Sequence, residues 1–353
     1  MEKCLGILER KEIKMKTFKG SYFEIGKQQG QIYRENGLNI DWVKINKKLL
    51  DGQLKAYQEH YPQLLEEIKG IAQGGGYDEE KMLQVYLANE ILYYTNRFNI
   101  PVNCTIFGVK NKNGVFVGRN LDWTPIAEKI MQVYKREGSE CLNFLAVTDM
   151  HIGSPDDVKN KFMFYNTIDV INENGLFIGI TFAYGDSWQF GLSWRDMSKL
   201  ISEACTTVND AIKLFEKIPL AVPKNFFIAD RKGNMAVVEH AVKRFKILPP
   251  IDNVLIQTNH YVDPELAKID KVFKEIPHHN TFIRYYEALQ KINWIKDKFK
   301  HSDVIKVLGN PQSYLLQNHE SRTIWTLALD MQRSKYWLYT DVIGQKNKKT
   351  LEI

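Results

Sequence analysis

Cysteine is scarce in this chain of 353 residues. The four copies, Cys4, Cys104, Cys141 and Cys205, are widely spread. None of them forms a C-x-x-C pair, so neither a zinc knuckle nor a disulfide framework is indicated. Because free thiols are typical of a reducing compartment, we expect a cytoplasmic protein.

Long hydrophobic runs and a secretory signal are missing as well. The first residues read MEKCLGILERKEIKMK and contain no apolar segment of the signal type. No stretch reaches the roughly 20 apolar residues that a membrane-spanning helix needs. With 44% hydrophobic and 25% charged residues, the composition is that of a soluble globular protein, and we predict no membrane partner.

The chain also lacks a concentrated charge of either sign. Its 48 Lys and Arg exceed its 42 Asp and Glu by six, without a long basic tract, which argues against a nucleic acid partner. His278 and His279 have no further ligands at metal spacing around them. We therefore predict neither a metal nor a cofactor.

The pattern changes near residue 100. Apolar positions at helical spacing dominate residues 20–97, where Pro62 suits the first turn of a helix that glycines 74–76 would end. Asp78 could cap the next helix. We predict a mainly helical segment over residues 1–103 and one integrated domain of strands, hairpins and helices over residues 104–353.

Four strand–turn–strand patterns follow in the second part. Their turns are KNKNG at 110–114, NENG at 172–175, RKGN at 231–234 and the break between RTIWTLALDM and SKYWLYTDV. Helical stretches lie between them at 195–217, with Thr207 as a candidate cap, and at about 281–295. Hairpins separated by helices predict an α+β architecture of two antiparallel sheets covered by helices.

The first of these hairpins carries the candidate chemistry. Cys104 begins its first strand, and Arg119 and Asp122 lie near the end of its second strand. Because a hairpin brings these strand ends together, the three side chains can meet at one end of a sheet. Without the cysteine, Arg119 and Asp122 would be interpreted as a structural ion pair.

The segment Asn103-Cys104-Thr105, followed by Gly118-Arg119-Asn120-Leu121-Asp122, resembles the linear-amide C–N hydrolases of the N-terminal-nucleophile superfamily. That group includes isopenicillin-N acyltransferase and choloylglycine hydrolase. Further motifs of the group appear in the same order at residues 20–26, 70–74, 172–176, 179–182, 258–261 and 280–284. The resemblance covers nearly the whole chain and implies a four-layer αββα sandwich.

The resemblance also implies self-cleavage between Asn103 and Cys104, which would give a helical α chain of residues 1–103 and a catalytic β chain of residues 104–353. The freed α-amino group of Cys104, with an ordinary pKa of roughly 7.7–8, could accept the thiol proton. Nucleophile and base would then belong to one residue. The implied partners are an N-acyl amide substrate, an optional amine acceptor and the chain's own α segment.

Roles for the other residues follow from the same resemblance. Asp122 would hold the new ammonium group of Cys104, and Arg119 would favour its thiolate. Asn259 and the backbone N–H near Thr181 would bind the oxyanion. Arg284 would complete the ion network around Asp122. Two positions depart from the family pattern, since Thr181 often is Asn there and Asn103 commonly is Gly.

Ring-bearing side chains near these motifs are candidates for a substrate pocket, with core packing as the alternative. They are Trp123, Phe182, Tyr184, Trp188, His260 and Tyr261. A Cys/His peptidase would use His260 as its base, but a free α-amine would make that base unnecessary, so we expect a structural histidine. An unprocessed binding scaffold of the same fold, acyl transfer instead of hydrolysis, and a homo-oligomer stay open.

Overall fold

The computed structural model describes most of the chain. The described residues are 15–88, 91–92, 94, 103–125, 127–148, 165–185, 187–276, 278–317, 321–340 and 348–353. Cys4 and the start of the second predicted hairpin, residues 162–164, lie outside them.

The first sheet has eight strands. In spatial order they are β1 (Met15–Gly20), β4 (Gln132–Gly138), β5 (Phe144–Thr148), β6 (Asp169–Asn172), β7 (Phe177–Phe182), β8 (Lys224–Ala229), β9 (Met235–His240) and β10 (Phe245–Leu248). Neighbours run antiparallel except for β1, which pairs in parallel with β4 at the edge.

The second sheet has six strands, all antiparallel. In spatial order they are β11 (Val254–Gln257), β2 (Asn103–Asn111), β3 (Gly114–Trp123), β12 (Arg322–Asp330), β13 (Lys335–Tyr339) and β14 (Lys348–Leu351). The predicted hairpins β2–β3, β6–β7, β8–β9 and β12–β13 are all present. Each predicted turn joins two neighbouring strands, as the turn chemistry requires.

Helices connect these strands. They are α1 (Tyr22–Glu35), α2 (Lys47–His60), α3 (Pro62–Gly75), α4 (Glu79–Leu83), a π-helix (Gln84–Ala88), α5 (Ala127–Ile130), α6 (Trp194–Ala204), α7 (Val208–Phe215), α8 (Pro264–Ala267), α9 (Val272–Glu275), α10 (Thr281–Ile295), a 3₁₀ turn (Lys296–Lys298) and α11 (His301–Leu308). Among these described helices, none is long and apolar enough to cross a membrane.

The two sheets face each other between layers of helices. At the centre of β2, a Cβ on Gly108 would lie 2.4 Å from Sδ of Met235 and 2.9 Å from Phe227 of the first sheet. Helix α6 packs on β6 and β7, while α10 and α11 cover the opposite face of the second sheet. The expected αββα architecture is therefore confirmed.

Local sequence signals mark the helix ends that the sequence analysis expected. Pro62 is the first residue of α3, and Gly76 ends that helix with a left-handed φ of 67°. The side chain of Asp78 accepts a hydrogen bond from the Lys81 backbone at the start of α4. Thr207 forms a capping box with Asp210 and divides the stretch 195–217 into α6 and α7.

Strand β1 was not expected from the sequence. Its six residues, MKTFKG, bury only Phe18 fully, so they show no alternation of apolar and polar positions. The strand nevertheless extends the first sheet, and it does so from the mainly helical segment. Part of the segment before Cys104 therefore belongs to a sheet whose other strands follow Cys104.

Buried charges also join the helical segment to the rest of the chain. Glu67 of α3 lies 2.9 Å from Arg136 of β4, whose Nε lies 2.9 Å from Glu203 of α6. Tyr22 of α1 donates its hydroxyl hydrogen to Glu203 over 2.8 Å. Charges that are removed from water in this way need one another, so the two parts of the chain fold around a common polar cluster.

Helices α1 and α3 approach each other unusually closely through four glycines. Gly26 and Gly30 of α1 face Gly70 and Gly74 of α3. A Cβ at Gly26 would lie 2.0 Å from the carbonyl oxygen of Glu67, and at the other three glycines it would lie 2.1 or 2.2 Å from a backbone oxygen of the partner helix. Any larger side chain would push the helices apart.

We predict that Gly26→Ala destabilises the protein, although alanine is the better helix former by about 1 kcal/mol. Overpacking against a backbone atom should lower the free energy of unfolding by about 1–3 kcal/mol in urea denaturation. The matched control is Gly52→Ala in α2, where the atoms nearest to the new Cβ belong to the ring of Phe190, a side chain that is 39% exposed and can turn away. Equal effects of both substitutions would contradict the close approach.

Candidate active site

The register of β2 and β3 decides which side chains meet at the predicted site. Asn103 pairs with Asp122, Cys104 with Leu121, and Ile106 with Arg119. Because side chains alternate along a strand, Cys104 and Arg119 lie on the face toward the first sheet, while Asp122 lies on the face covered by helices. The structure therefore brings the three predicted residues to one strand end, but from two faces of the sheet.

Cys104 lies in the fully buried start of β2. Burial raises the pKa of its thiol, and the nearby charges of Arg119 and Arg284 oppose that rise. Its backbone N–H donates to Oδ1 of Asn259 over 2.6 Å, and its carbonyl oxygen accepts from Nη1 of Arg284. Both peptide groups beside the thiol are thus held by side chains of the predicted site.

Arg119 spans the gap between the two sheets. Its Nε donates to Asp169 of β6 over 2.7 Å, and its Nη2 donates to the carbonyl oxygen of Ile180 of β7 over 3.3 Å. Trp325 of β12 donates its indole N–H to the other carboxylate oxygen of Asp169 over 2.7 Å. Nη1 of Arg119 is buried and has no hydrogen-bond partner among the described residues.

Asp169 was missed by the sequence analysis, although a signal for it exists. It stands in the apolar run IDVI of a predicted strand, where a carboxylate that becomes buried needs a cationic partner. The sequence offers many arginines as that partner. Only the pairing of sheets shows that the partner is Arg119.

Arg284 of α10 binds the residues on both sides of the peptide bond before Cys104. Besides the carbonyl oxygen of Cys104, its Nη1 donates to Oγ1 of Thr105 over 3.0 Å. Its Nη2 donates to Oδ1 of Asn103 over 3.1 Å and to Oδ1 of Asn259 over 2.8 Å. The expected ion network around Asp122 is present only through space, since the charge of Arg284 lowers the pKa of that carboxyl without a described hydrogen bond.

Asp122 is fully buried, and only one of its two carboxylate oxygens accepts a hydrogen bond from a described residue. Its Oδ1 accepts from the hydroxyl of Thr323 over 2.5 Å, whereas its Oδ2 has no hydrogen-bond partner among the described residues. Burial raises the pKa of Asp122 to about 6, against the lowering effects of Arg284, Thr323 and Arg119. Among the described residues no cation forms an ion pair with this buried carboxylate, and the charges of Arg284 and Arg119 act on it only through space.

Asn259 and Thr181 approach from the loop after β11 and from β7. Because Oδ1 of Asn259 accepts from Cys104 and Arg284, its amide nitrogen is the end left to donate, and it lies 3.3 Å from the carbonyl oxygen of Phe182. Thr181 donates its hydroxyl hydrogen to the carbonyl oxygen of Thr258 over 2.6 Å. The Thr181 side chain is therefore engaged in holding the segment that carries Asn259.

His260 is buried in a hydroxyl cluster. Its Nδ1 lies 2.9 Å from Oγ1 of Thr281 and 3.1 Å from Oγ1 of Thr258, and its ring packs 4.2 Å from that of Phe282. Burial, followed by the charges of Arg284 and His279, lowers its pKa to about 3. The imidazole is therefore neutral at physiological pH and is hydrogen-bonded within this cluster.

The remaining pocket candidates differ in exposure. Phe182 and Tyr184 are half-buried with ring centroids 5.2 Å apart, Trp123 is half-buried at the end of β3, and Trp188 is 40% exposed. Tyr261 is buried and donates its hydroxyl hydrogen to the carbonyl oxygen of His240 over 3.2 Å. Phe182, Tyr184, Trp188 and Trp123 are thus partly accessible to solvent, and Tyr261 is not.

The chemistry open to this arrangement follows from its groups. It offers a thiol, two guanidinium groups, a half-satisfied carboxylate and an amide donor, all placed around the peptide bond between Asn103 and Cys104. Across the described ranges, no group of three or more His, Cys, Asp or Glu side chains could hold a metal ion. Nucleophilic attack by sulfur, with the guanidinium groups stabilising negative charge, is the reaction that these groups can support.

The two facing antiparallel sheets between layers of helices form the αββα sandwich of the N-terminal-nucleophile hydrolase fold. The chain belongs to the acyl-coenzyme A:6-aminopenicillanic acid acyl-transferase family, whose model matches residues 109–344. That range includes Arg119, Asp122, Asn259 and Arg284 and begins after Cys104. The protein is accordingly an enzyme of linear amide bonds, a hydrolase or an acyltransferase.

Several solved structures resemble this one at low sequence identity. A Caenorhabditis elegans ortholog of N-acylethanolamine-hydrolyzing acid amidase is 13% identical, with a TM-score of 0.47 over 70% of this chain and 100% of its own. Penicillin V acylase from Agrobacterium tumefaciens is 18% identical, with a TM-score of 0.44 over 67% of this chain and 83% of its own. A variant of conjugated bile acid hydrolase from Clostridium perfringens is 12% identical, with a TM-score of 0.47 over 70% of this chain and 92% of its own. No curated protein matches the chain in sequence.

The buried carboxyl of Asp122 predicts a pH-dependent stability of the uncut chain. Its pKa is raised from 3.8 to about 6, so the stability that it contributes is present below pH 4 and is lost as the pH rises through 6. In a Cys104→Ala background, the Asp122→Asn substitution should therefore raise the free energy of unfolding more at pH 7.5 than at pH 4. The effects of the substitution at the two pH values should differ by up to about 3 kcal/mol.

Denaturant unfolding at both pH values measures this difference. Asp252→Asn in the same background is the matched control, because the Asp252 side chain is 79% exposed. The interpretation of Asp122 is wrong if both double variants show the same pH profile.

Proposed function

We propose that the chain cuts itself between Asn103 and Cys104 and then uses Cys104 to cleave the linear, non-peptide amide of an N-acyl compound through a thioester. The observation that carries this proposal is the buried thiol of Cys104, which lies near a guanidinium group, that of Arg119, whose Nη1 has no hydrogen-bond partner among the described residues. Side chains clamp the peptide groups on both sides of it.

The cut would proceed as an acyl shift from nitrogen to sulfur. Sγ of Cys104 attacks the carbonyl carbon of Asn103, the C–N bond breaks, and the nitrogen of Cys104 takes up a proton and becomes an amine. Water then hydrolyses the thioester, which leaves a carboxylate on Asn103 and a free thiol on Cys104. Arg284 supports this step, because it binds the Asn103 side chain and the Cys104 carbonyl oxygen at once.

The freed amine would then serve as the base for turnover. It accepts the thiol proton, the thiolate attacks the substrate carbonyl carbon, and the proton passes to the leaving amine. Oδ2 of Asp122 has no hydrogen-bond partner among the described residues, which supports this role, since an ammonium group on Cys104 would supply an ion-pair partner for the buried carboxylate. Water or an acceptor amine would resolve the thioester on Cys104.

Negative charge on the substrate oxygen needs fixed donors. Asn259 is held through its Oδ1, and one N–H of its amide donates to the carbonyl oxygen of Phe182, which leaves the other N–H as a donor to the oxyanion; the backbone N–H near Thr181 is the second candidate. Arg119 would stabilise the thiolate, because its charge lowers the pKa of the Cys104 thiol. We also place the protein in the cytoplasm, which the free thiols of Cys104, Cys141 and Cys205 support.

Self-cleavage is the first prediction to test. The purified wild-type protein should give fragments of about 12 and about 29 kDa on a denaturing gel, in proportion to 103 and 250 of the 353 residues in 41.1 kDa. The larger fragment should begin Cys-Thr-Ile-Phe, and Cys104→Ala should remain one chain of 41.1 kDa.

The control for the cut is Cys205→Ala, another buried cysteine, which should be cleaved like the wild type. A single uncut chain in the wild type would leave Cys104 without its base. The binding scaffold of the same fold would then be the better interpretation.

Removal of the oxyanion donor gives a second prediction. Asn259→Ala should lower kcat by about 10²–10³, the usual loss for one such donor, on an N-acyl-4-nitroanilide that the wild-type enzyme hydrolyses. Asn143→Ala is the control, because its exposed amide donates only to Glu173. If Asn259→Ala retains the wild-type kcat, Asn259 does not bind the oxyanion.

The choice between hydrolysis and acyl transfer depends on the acceptor. The same 4-nitroanilide, supplied with and without a small primary amine, distinguishes the two. A new amide in place of the free acid indicates transfer, and its absence at high amine concentration indicates that water resolves the thioester.

A further inference from the structure

The hydroxyl of Thr281 lies at the point where the segment of Asn259 meets the helix of Arg284. Thr281 is the first residue of α10, and Arg284 follows one turn later in the same helix. The Oγ1 of Thr281 accepts the backbone N–H of Asn259 over 2.8 Å. The Thr281 side chain thus joins the segment of Asn259 to the helix that carries Arg284.

The same hydroxyl group makes further bonds within the segment. It donates to Oγ1 of Thr258 over 2.9 Å and lies 2.9 Å from Nδ1 of His260. Thr258 in turn donates to the carbonyl oxygen of Thr281 over 3.2 Å. Residues 258, 259 and 260 are therefore each bonded to Thr281, and all four residues are at most 3% exposed.

The direction of these bonds explains why an alcohol is needed at position 281. The N–H of Asn259 requires an acceptor, and the Oγ1 of Thr258 can accept a hydrogen in return. A hydroxyl group supplies both an acceptor and a donor, whereas a hydrocarbon side chain supplies neither. A buried N–H that loses its acceptor shifts toward another partner, and Asn259 has its side chain on the same short segment.

We propose that Thr281 is a positioning residue that aims the amide of Asn259 at the reacting carbonyl oxygen. It acts through Asn259 and does not touch the substrate. The proposal deepens the proposed function and rests on it. The carboxylate of Glu239 accepts hydrogen bonds from the backbone N–H groups of Val262 and Asp263 over 2.6 and 2.9 Å. The loop of residues 258–263 is therefore held by Thr281 at its start and by Glu239 at its end. Loss of the Thr281 hydroxyl group would displace the start of the loop, which contains Asn259.

The test is a set of substitutions at Thr281. Thr281→Val keeps the shape and removes the hydroxyl group, and Thr281→Ser keeps the hydroxyl group. On the 4-nitroanilide that the wild-type enzyme hydrolyses fastest, Thr281→Val should lower kcat roughly 10- to 100-fold with little change in KM, since a misplacement of ~1 Å can reduce a rate by about 10². Thr281→Ser should stay within about threefold of the wild type in kcat.

A double-mutant cycle separates positioning from general stability. If Thr281 acts through Asn259, Thr281→Val should reduce kcat far less in an Asn259→Ala background than in the wild type. Additive losses, a wild-type kcat for Thr281→Val, or equal losses for valine and serine would each overturn the inference. If valine prevents folding, Thr281→Ala is used in the same cycle, with the same expected and overturning results.

Failure of this inference is distinguishable from failure of the proposed function. A wild-type protein that neither cuts itself nor hydrolyses any of the 4-nitroanilides would overturn both. A wild-type protein that does both, with an additive cycle at Thr281 and Asn259, would overturn only the role of Thr281.

Discussion

The ion pair of Arg119 and Asp169 is the interaction on which the site depends. Both side chains are fully out of contact with water, and each belongs to a different sheet. A buried charge without its partner is strongly unfavourable, so strands β3 and β6 can pack only in the arrangement that lets these two groups meet. Trp325 reinforces that arrangement from the next strand. The position of Cys104 relative to the first sheet follows from it.

The positive charge of Arg119 has two effects, because it pairs with Asp169 and also lowers the pKa of the Cys104 thiol. Asp169 neutralises much of it, and burial, together with the negative charges of Asp122 and Asp169, raises the pKa of the Cys104 thiol against the lowering effects of Arg119 and Arg284. The uncut chain therefore holds a protonated thiol. This balance agrees with the proposed self-cleavage, because the nitrogen that is proposed to take the thiol proton is part of a peptide bond in the uncut chain.

The segment before Cys104 is built into the fold. Strand β1 pairs with β4, and the cluster of Glu67, Arg136 and Glu203 joins helices on both sides of the predicted cut. Close glycine packing of α1 on α3 joins these two helices of the segment into one layer. Its helices could be predicted from capping residues and spacing, but β1 could not, because a short edge strand with one buried side chain has no periodic signal.

The amino-acid sequence by itself determined the local structure of this protein and the identity of its reactive groups. Turn residues set the four hairpins, Pro62, Asp78 and Thr207 set helix starts, and the hairpin at Cys104 placed Arg119 and Asp122 near the thiol. These features depend on neighbours within about 20 residues, for which spacing and propensity are sufficient.

Only the tertiary structure decided the contacts between distant segments. It selected Asp169 as the partner of Arg119, directed Arg284 to the peptide groups around Cys104 instead of to Asp122, and joined Asn259 to Thr281. Such pairings are chosen by which buried polar groups can satisfy each other once the sheets and helices have packed, and the order of residues along the chain carries no direct record of that choice.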